Sequence, residues 1–134
     1  MPITIDTLVA APVARAWEVY TDPDHITQWN FADPSWHCPR ASNDLRVGGR
    51  LESRMEARDG SMGFDFVGIY EDVAPQERLV YLLEDGRRVE TTFAAEGDGT
   101  RVTTVFDAEG QNSEEMQRQG WQAILDSYRA RAEA

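Results

Sequence analysis

The sequence predicts an α+β fold: a first strand and two short helices lead into a long antiparallel meander, which a C-terminal helix closes. Three observations point to it. Asp-Gly pairs recur at Asp59-Gly60, Asp85-Gly86 and Asp98-Gly99, each between segments of strand character, and Asp-Gly tolerates the positive φ of tight hairpins. Connections so short leave no room for a parallel crossover, so successive segments pair antiparallel. Beyond the last pair the pattern turns helical from Ser113 to Ala132, about 30 Å of helix at 1.5 Å per residue.

Each element has a local reason. From Ile3 to Val9, the positions Ile3, Ile5 and Thr7 alternate with Thr4, Asp6 and Leu8, the period of a strand. Pro12 suits the first turn of a helix, where a missing N–H is harmless. Val13, Ala16, Trp17 and Tyr20 then follow at the spacing of one buried face, so Trp17 is expected in the core. Asp22-Pro23 starts a second helix, Asp as N-cap and Pro at the first helical position, running to about Trp29. Residues Asn30 to Asn43 show no periodicity and contain Pro34 and Pro39, which predicts a loop. Leu51, Ser53, Met55 and Ala57 alternate with Arg50, Glu52, Arg54 and Glu56, a half-buried strand with a charged outer face.

Strands are predicted over Met62–Val73, Leu79–Glu84, Arg88–Glu96 and Arg101–Asp107, with a turn at Pro75-Gln76-Glu77. Within the first of them Phe64, Phe66 and Tyr70 share one parity and are expected to point inward. Val89, Thr91 and Phe93, then Val102, Thr104 and Phe106, supply two more inward rows. Asp98-Gly99 is expected to form a primed turn with Gly99 at positive φ. The last helix is capped by Asn112 or Ser113, with Glu114 and Glu115 complementing its positive end. Its apolar arc carries Gly120, Trp121, Ile124 and Tyr128, with Leu125 at the edge and Gln117 near the middle. Gly120 inside a helix costs about 1 kcal/mol relative to Ala; close approach to the sheet and room for a ligand are the two readings of it.

Composition narrows function by exclusion. The 134 residues, 41% hydrophobic and 28% charged, are the length and make-up of one globular domain spanning 1–134. Thirteen basic against 24 acidic residues leave a net charge of −11, which disfavours nucleic acid and anionic membrane as partners. Every basic residue other than histidine is arginine. Schiff-base chemistry and the P-loop both require lysine, so both are excluded. Cys38 is the sole cysteine and forms no intrachain disulfide. Met1-Pro2-Ile3-Thr4 lacks the character of a secretory leader, and a cytoplasmic location is the expectation.

The ionisable clusters suggest little chemistry. His37-Cys38 with His25 lacks metal-ligand spacing, and adjacent residues on an extended chain point apart, so no metal, no cofactor and no catalytic residue is assigned. Asp65 between two phenylalanines reads as an outward strand residue. Trp29, Phe31 and Trp36 fall in or beside an irregular stretch, where they act either as core or as a lid over a cavity.

Ala11-Pro12-Val13-Ala14-Arg15-Ala16-Trp17, Tyr20-Thr21-Asp22-Pro23 and Ile26 to Trp29 resemble the opening of the Hsp90-ATPase-activator-homologue domains, which belong with the START and Bet v 1-like proteins (the SRPBCC superfamily). Arg46-Val47-Gly48-Gly49-Arg50, the stretch Val73 to Tyr81, and Gly120-Trp121 with Leu125 match the rest of that pattern. The resemblance implies a helix-grip fold, a curved antiparallel sheet wrapped around the long C-terminal helix, with an apolar cavity between them. In that cavity a small apolar or aromatic ligand is expected to meet Met55, Phe64, Phe66 and Tyr70 from one side of the meander, and Phe93 and Phe106 from the other. Gln117, Gly120, Trp121 and Ile124 would face it from the helix, with Trp29, Phe31, Trp36 and His37 at the rim. Gln117 is the expected polar handle, with exposure to solvent as the competing placement. The family also admits a cyclase- or dehydratase-like enzyme, for which His37, Asp65, Gln117 and Tyr70 are the polar candidates, and a domain that contacts an Hsp90-type chaperone.

Overall fold

The computed structural model describes residues 2–134; Met1, the first residue of the stretch without leader character, lies outside them. Strand β1 (Pro2–Val9) leads into helices α1 (Val13–Thr21) and α2 (Pro23–Trp29). Strands β2 (Trp36–Asn43), β3 (Arg50–Ala57), β4 (Gly63–Ala74), β5 (Arg78–Leu83), β6 (Arg88–Glu96) and β7 (Gly99–Asp107) follow, and α3 (Glu114–Glu133) ends the chain. All seven strands form one antiparallel sheet in the order β1-β7-β6-β5-β4-β3-β2, curled into a half-barrel around α3. The meander of consecutive neighbours is the arrangement that the Asp-Gly pairs predict.

Alternation places the core. In β1 the residues Ile3, Ile5, Thr7 and Val9 are buried. Val89, Thr91 and Phe93 in β6, and Val102, Thr104 and Phe106 in β7, are buried on the same inner face. Trp17 is only half-buried, yet it packs as expected against the meander, with its ring edge-on to Phe93 at 5.3 Å. The outer face carries Arg54 with Glu56 and Asp65, Arg78 with Asp72 and Glu90, and Arg101 with Glu96 and Asp6. Exposed pairs of this kind add little stability each. Val67 and Val80 are buried on that same face.

Three features depart from the sequence reading. Residues 36–43 form an edge strand, not a loop. The pairing of β2 with β3 slips between His37 and Arg40. Such a bulge breaks the two-residue period, and it accommodates Pro39 where an N–H is not needed. Next, Glu96 pairs with Gly99, so the two-residue turn is Gly97-Asp98, with Gly97 at φ +62°. Gly99 lies in β7 outside the positive-φ region. It is glycine because a Cβ there would stand 2.6 Å from the Val9 carbonyl oxygen. Finally, Asp59-Gly60 does not form the two-residue hairpin turn that such a pair predicts; the connection is a four-residue loop, closed by the Ala57 N–H donating to the Met62 carbonyl at 2.9 Å, with Gly60 at φ +78°.

The long helix is moored at both ends. Ser113 Oγ caps it by accepting from the Met116 N–H at 3.1 Å. Arg118 and Gln122 donate to the Thr4 and Asp6 carbonyls at 2.6 and 3.2 Å, covering the otherwise unpaired edge of β1. At its C-terminal end Tyr128, fully buried, donates to the Ala16 carbonyl at 2.7 Å. Asp22 caps α2 as expected, accepting from the Asp24 N–H at 2.9 Å.

Candidate functional site: a cavity between sheet and helix

Helix α3 packs chiefly on β1, α1 and α2, while the sheet curls away from it through β3, β4 and β5. The gap is a cavity of about 300 Å³. Met55, Phe66, Tyr70 and Tyr81 face it from the sheet, Trp121 and Ile124 from α3, and Ile26 and Trp29 from α2. Phe64 lies at its mouth, 49% exposed at the end of the inward row of β4. Beneath the cavity Gly68 leaves room for the Tyr81 ring, which a Cβ at that position would approach within 2.6 Å.

The polar groups of the lining are few and mostly tied to one another. Asn43 Nδ2 donates to the Thr21 carbonyl at 2.9 Å, which turns Oδ1 to accept from the Tyr70 hydroxyl at 2.7 Å. The Tyr20 hydroxyl bonds Thr91 at 3.2 Å, and Thr91 bonds Thr104 at 2.9 Å. The Tyr81 hydroxyl has no hydrogen-bond partner among the described residues. Burial raises the pKa of Tyr20, Tyr70 and Tyr81, so all three stay neutral and present hydroxyls, not phenolates, at neutral pH. Among the described residues the lining therefore combines an apolar body with a small set of neutral dipoles and one charged side chain, Arg87.

The expected site residues divide sharply. Trp29, Met55, Phe64, Phe66, Tyr70, Trp121 and Ile124 line the cavity. Phe93 packs instead against Trp17 and Tyr20. Phe106 is sealed beneath Trp121, ring on ring at 4.0 Å. Trp36, in the edge strand, leans on Phe64 at 6.1 Å. Phe31 is half-buried in the preceding loop and does not line the cavity. His37 faces Glu56 at 3.7 Å across the strand pair. Asp65 is exposed beside Arg54.

Gln117 is buried but is not the cavity's handle. Its amide accepts from the Glu109 N–H at 2.8 Å and donates to the Glu109 and Asn112 carbonyls at 3.1 and 2.9 Å, so it pins the loop that enters α3. Gly120 answers neither of its readings: it does not line the cavity, and a Cβ there would meet nothing within 4 Å. Gly120→Ala is accordingly expected to raise stability by about 0.5–1 kcal/mol, read as a higher denaturant midpoint; a lower midpoint would show that the backbone needs the glycine.

Sequence reasoning missed Tyr81, Arg87 and Asn43. Tyr81 carries a signal, since it alternates inward with Leu79 and Leu83 in β5. Asn43 carries none, because it closes a strand that the bulge conceals. Cys38 is buried, with its thiol pKa raised chiefly by that burial and its Sγ donating to the Arg40 carbonyl at 3.5 Å. Among the described residues no group of three or more His, Cys, Asp or Glu side chains converges as metal ligands do, and no helix is long and apolar enough to cross a membrane.

Residues 10–133 match the model of the family described as Activator of Hsp90 ATPase homolog 1-like protein. The chain belongs to this family. Its fold places it in the SRPBCC superfamily, and the relatives of known structure agree. The solution structure of the AHSA1-like protein from Aeromonas hydrophila is 41% identical, over 99% of this chain and 92% of that one, with a TM-score of 0.94. The protein Chr148 from Cytophaga hutchinsonii is 42% identical, over 96% of this chain and 89% of that one, with a TM-score of 0.84. The protein CV1439 from Chromobacterium violaceum shares the fold at 23% identity, over 100% and 99% of the two chains, with a TM-score of 0.88. No curated protein matches the chain in sequence.

Proposed function

We propose that this AHSA1-like protein binds a small, mainly apolar or aromatic molecule in the cavity between the curved sheet and α3. The observation that carries the reading is the lining itself. Large apolar side chains from β3, β4, α2 and α3 converge on about 300 Å³, the lower end of the size range of small-molecule sites. A few dipoles held in place by neighbours, of which the Asn43–Tyr70 pair is the best ordered, would orient what enters. Neutral donors suit recognition and carbonyl polarisation better than proton abstraction, which favours binding over a cyclase- or dehydratase-like reaction.

Native mass spectrometry of the freshly purified protein tests the reading directly, with a co-purifying small molecule as the expected result. Titration with the neutral fluorophore N-phenyl-naphthylamine supplies a second test. Ile124→Trp, which fills the cavity from the helix side, is expected to weaken that binding at least ~10-fold while thermal stability changes little; a tenfold loss corresponds to about 1.4 kcal/mol. Unchanged binding by this variant would place the probe elsewhere. Capture of an Hsp90-type chaperone by protein whose cavity binds nothing would favour a docking role instead.

A further inference from the structure

Among the described residues Arg87 is the one charged residue lining the cavity. Its position follows from the hairpin between β5 and β6. The Leu83 N–H donates to the Arg87 carbonyl at 2.8 Å, and Gly86 at φ +88° completes the three-residue loop 84–86 between them. Residues directly opposite in an antiparallel pair share a face, and Leu83 is buried on the inner face, so Arg87 is directed inward with it. Asp85 accepts from Arg87 Nε at 2.7 Å. That bond orients the guanidinium and partly balances its charge. The two terminal nitrogens make no hydrogen bond among the described residues.

The second observation is Tyr81. It is 5% exposed, lines the same cavity, and its hydroxyl has no protein partner. Among the described residues every fully buried side-chain polar atom is hydrogen-bonded, so the unpartnered Tyr81 hydroxyl opens onto the cavity and is not sealed beneath it. The Tyr81 hydroxyl and the half-buried Arg87 guanidinium line one cavity with donors that no protein acceptor uses, so both are available to acceptors that a ligand brings. Elsewhere the chain pairs its arginines repeatedly on the outer face, so an inward one stands apart.

Resting on the ligand-binding reading above, we infer that the cavity selects molecules with an apolar or aromatic body and a carboxylate or comparable anionic head. Arg87 pairs with the head and Tyr81 donates a hydrogen bond to an oxygen of the ligand. The net charge of −11 opposes anions at long range, but salt screens that field beyond about 8 Å at physiological ionic strength. The local pair is charge-assisted and partly withdrawn from water, where such bonds are strongest.

The test uses naphthalene-carboxylate and its isosteric carboxamide, which differ in charge but hardly in shape, titrated against the full chain at physiological salt. Wild type is expected to bind the carboxylate at least ~10-fold more tightly than the amide, and a charge-assisted bond is worth that factor. Arg87→Met keeps the length of the side chain and removes the charge; it is expected to abolish the preference, with carboxylate affinity falling at least ~10-fold further than amide affinity. Arg87→Lys should restore part of the preference, and Tyr81→Phe should weaken both ligands together. Binding of both ligands by wild type without preference, or a preference that survives in Arg87→Met, overturns the inference and leaves the cavity reading standing. Binding of neither ligand overturns both. Should Arg87→Met fail to fold, the wild-type preference and the response of Arg87→Lys still decide the matter.

Discussion

All four tyrosines are expected to ionise together, in one cooperative step that coincides with alkaline unfolding. Tyr70, Tyr81 and Tyr128 are at most 5% exposed, and Tyr20 is packed among Trp29, Phe93 and Tyr128. Burial is the leading cause that raises each pKa above the ordinary 10.0. The sign follows from proton counts. Below pH 10 both folded and unfolded chains hold the phenolic protons, so the stabilisation is fully present. Above it the unfolded chain releases them and the folded chain does not, so stability falls as pH rises toward the folded-state values. Each tyrosine contributes a slope of about 1.4 kcal/mol per pH unit. Four would remove roughly 5 kcal/mol within about one unit, comparable with a whole domain's stability of about 5–15 kcal/mol. Lysine, which would titrate in the same range, is absent, so the phenols dominate the profile. Phenolate absorbance and circular dichroism, followed together against pH, should trace one transition. Tyrosines that ionise singly near pH 10 in an intact fold would contradict the packing described for them.

The largest effect of a single substitution is expected at Tyr128. Its ring meets Tyr20 and Trp29 edge-on at 5.1 and 5.3 Å, and its hydroxyl bonds the Ala16 carbonyl of α1. It thereby joins all three helices at the closed end of the half-barrel. Tyr128→Ala should cost about 3–5 kcal/mol, the range for truncating a large buried aromatic. Tyr128→Phe, which removes only the hydrogen bond, should cost about 1 kcal/mol. Denaturant unfolding of both variants separates the two contributions, and equal losses would mean that the hydroxyl, not the ring, holds the helices together.

The strands and helices were largely legible because their signals are local. Alternation in 50–57, the inward rows of β6 and β7, and the caps at Asp22 and Ser113 depend on neighbours a few residues away, and each recurs in the fold. The glycine pairs located the turns to within a residue or two, yet not their register. Whether Gly97-Asp98 or Asp98-Gly99 forms the bend depends on which residue must lie close to the Val9 carbonyl, a strand distant in sequence. Strand β2 escaped detection since a bulge cancels the periodicity that would reveal it.

Membership of the cavity was less accessible still. Sequence alone determined which residues face inward from the sheet: the inward set of Met55, Phe64, Phe66 and Tyr70 follows from a two-residue period that any half-buried strand obeys. It also determined that α3 is long, amphipathic and apolar around Trp121 and Ile124. Only the tertiary structure decided which inward residues border empty space and which are sealed. Phe93 and Phe106 share the inner face with Phe66, but α1 covers the first and Trp121 stacks on the second. Gln117 has a helical phase suited to a cavity handle, yet it is consumed by the loop at 109–112. Arg87 gains its inward direction from hairpin geometry, not from any pattern of hydrophobicity. The reason is physical: periodicity fixes the face on which a side chain lies, whereas burial and access depend on where a separate helix crosses that face, and that crossing is set by contacts between residues more than a hundred positions apart.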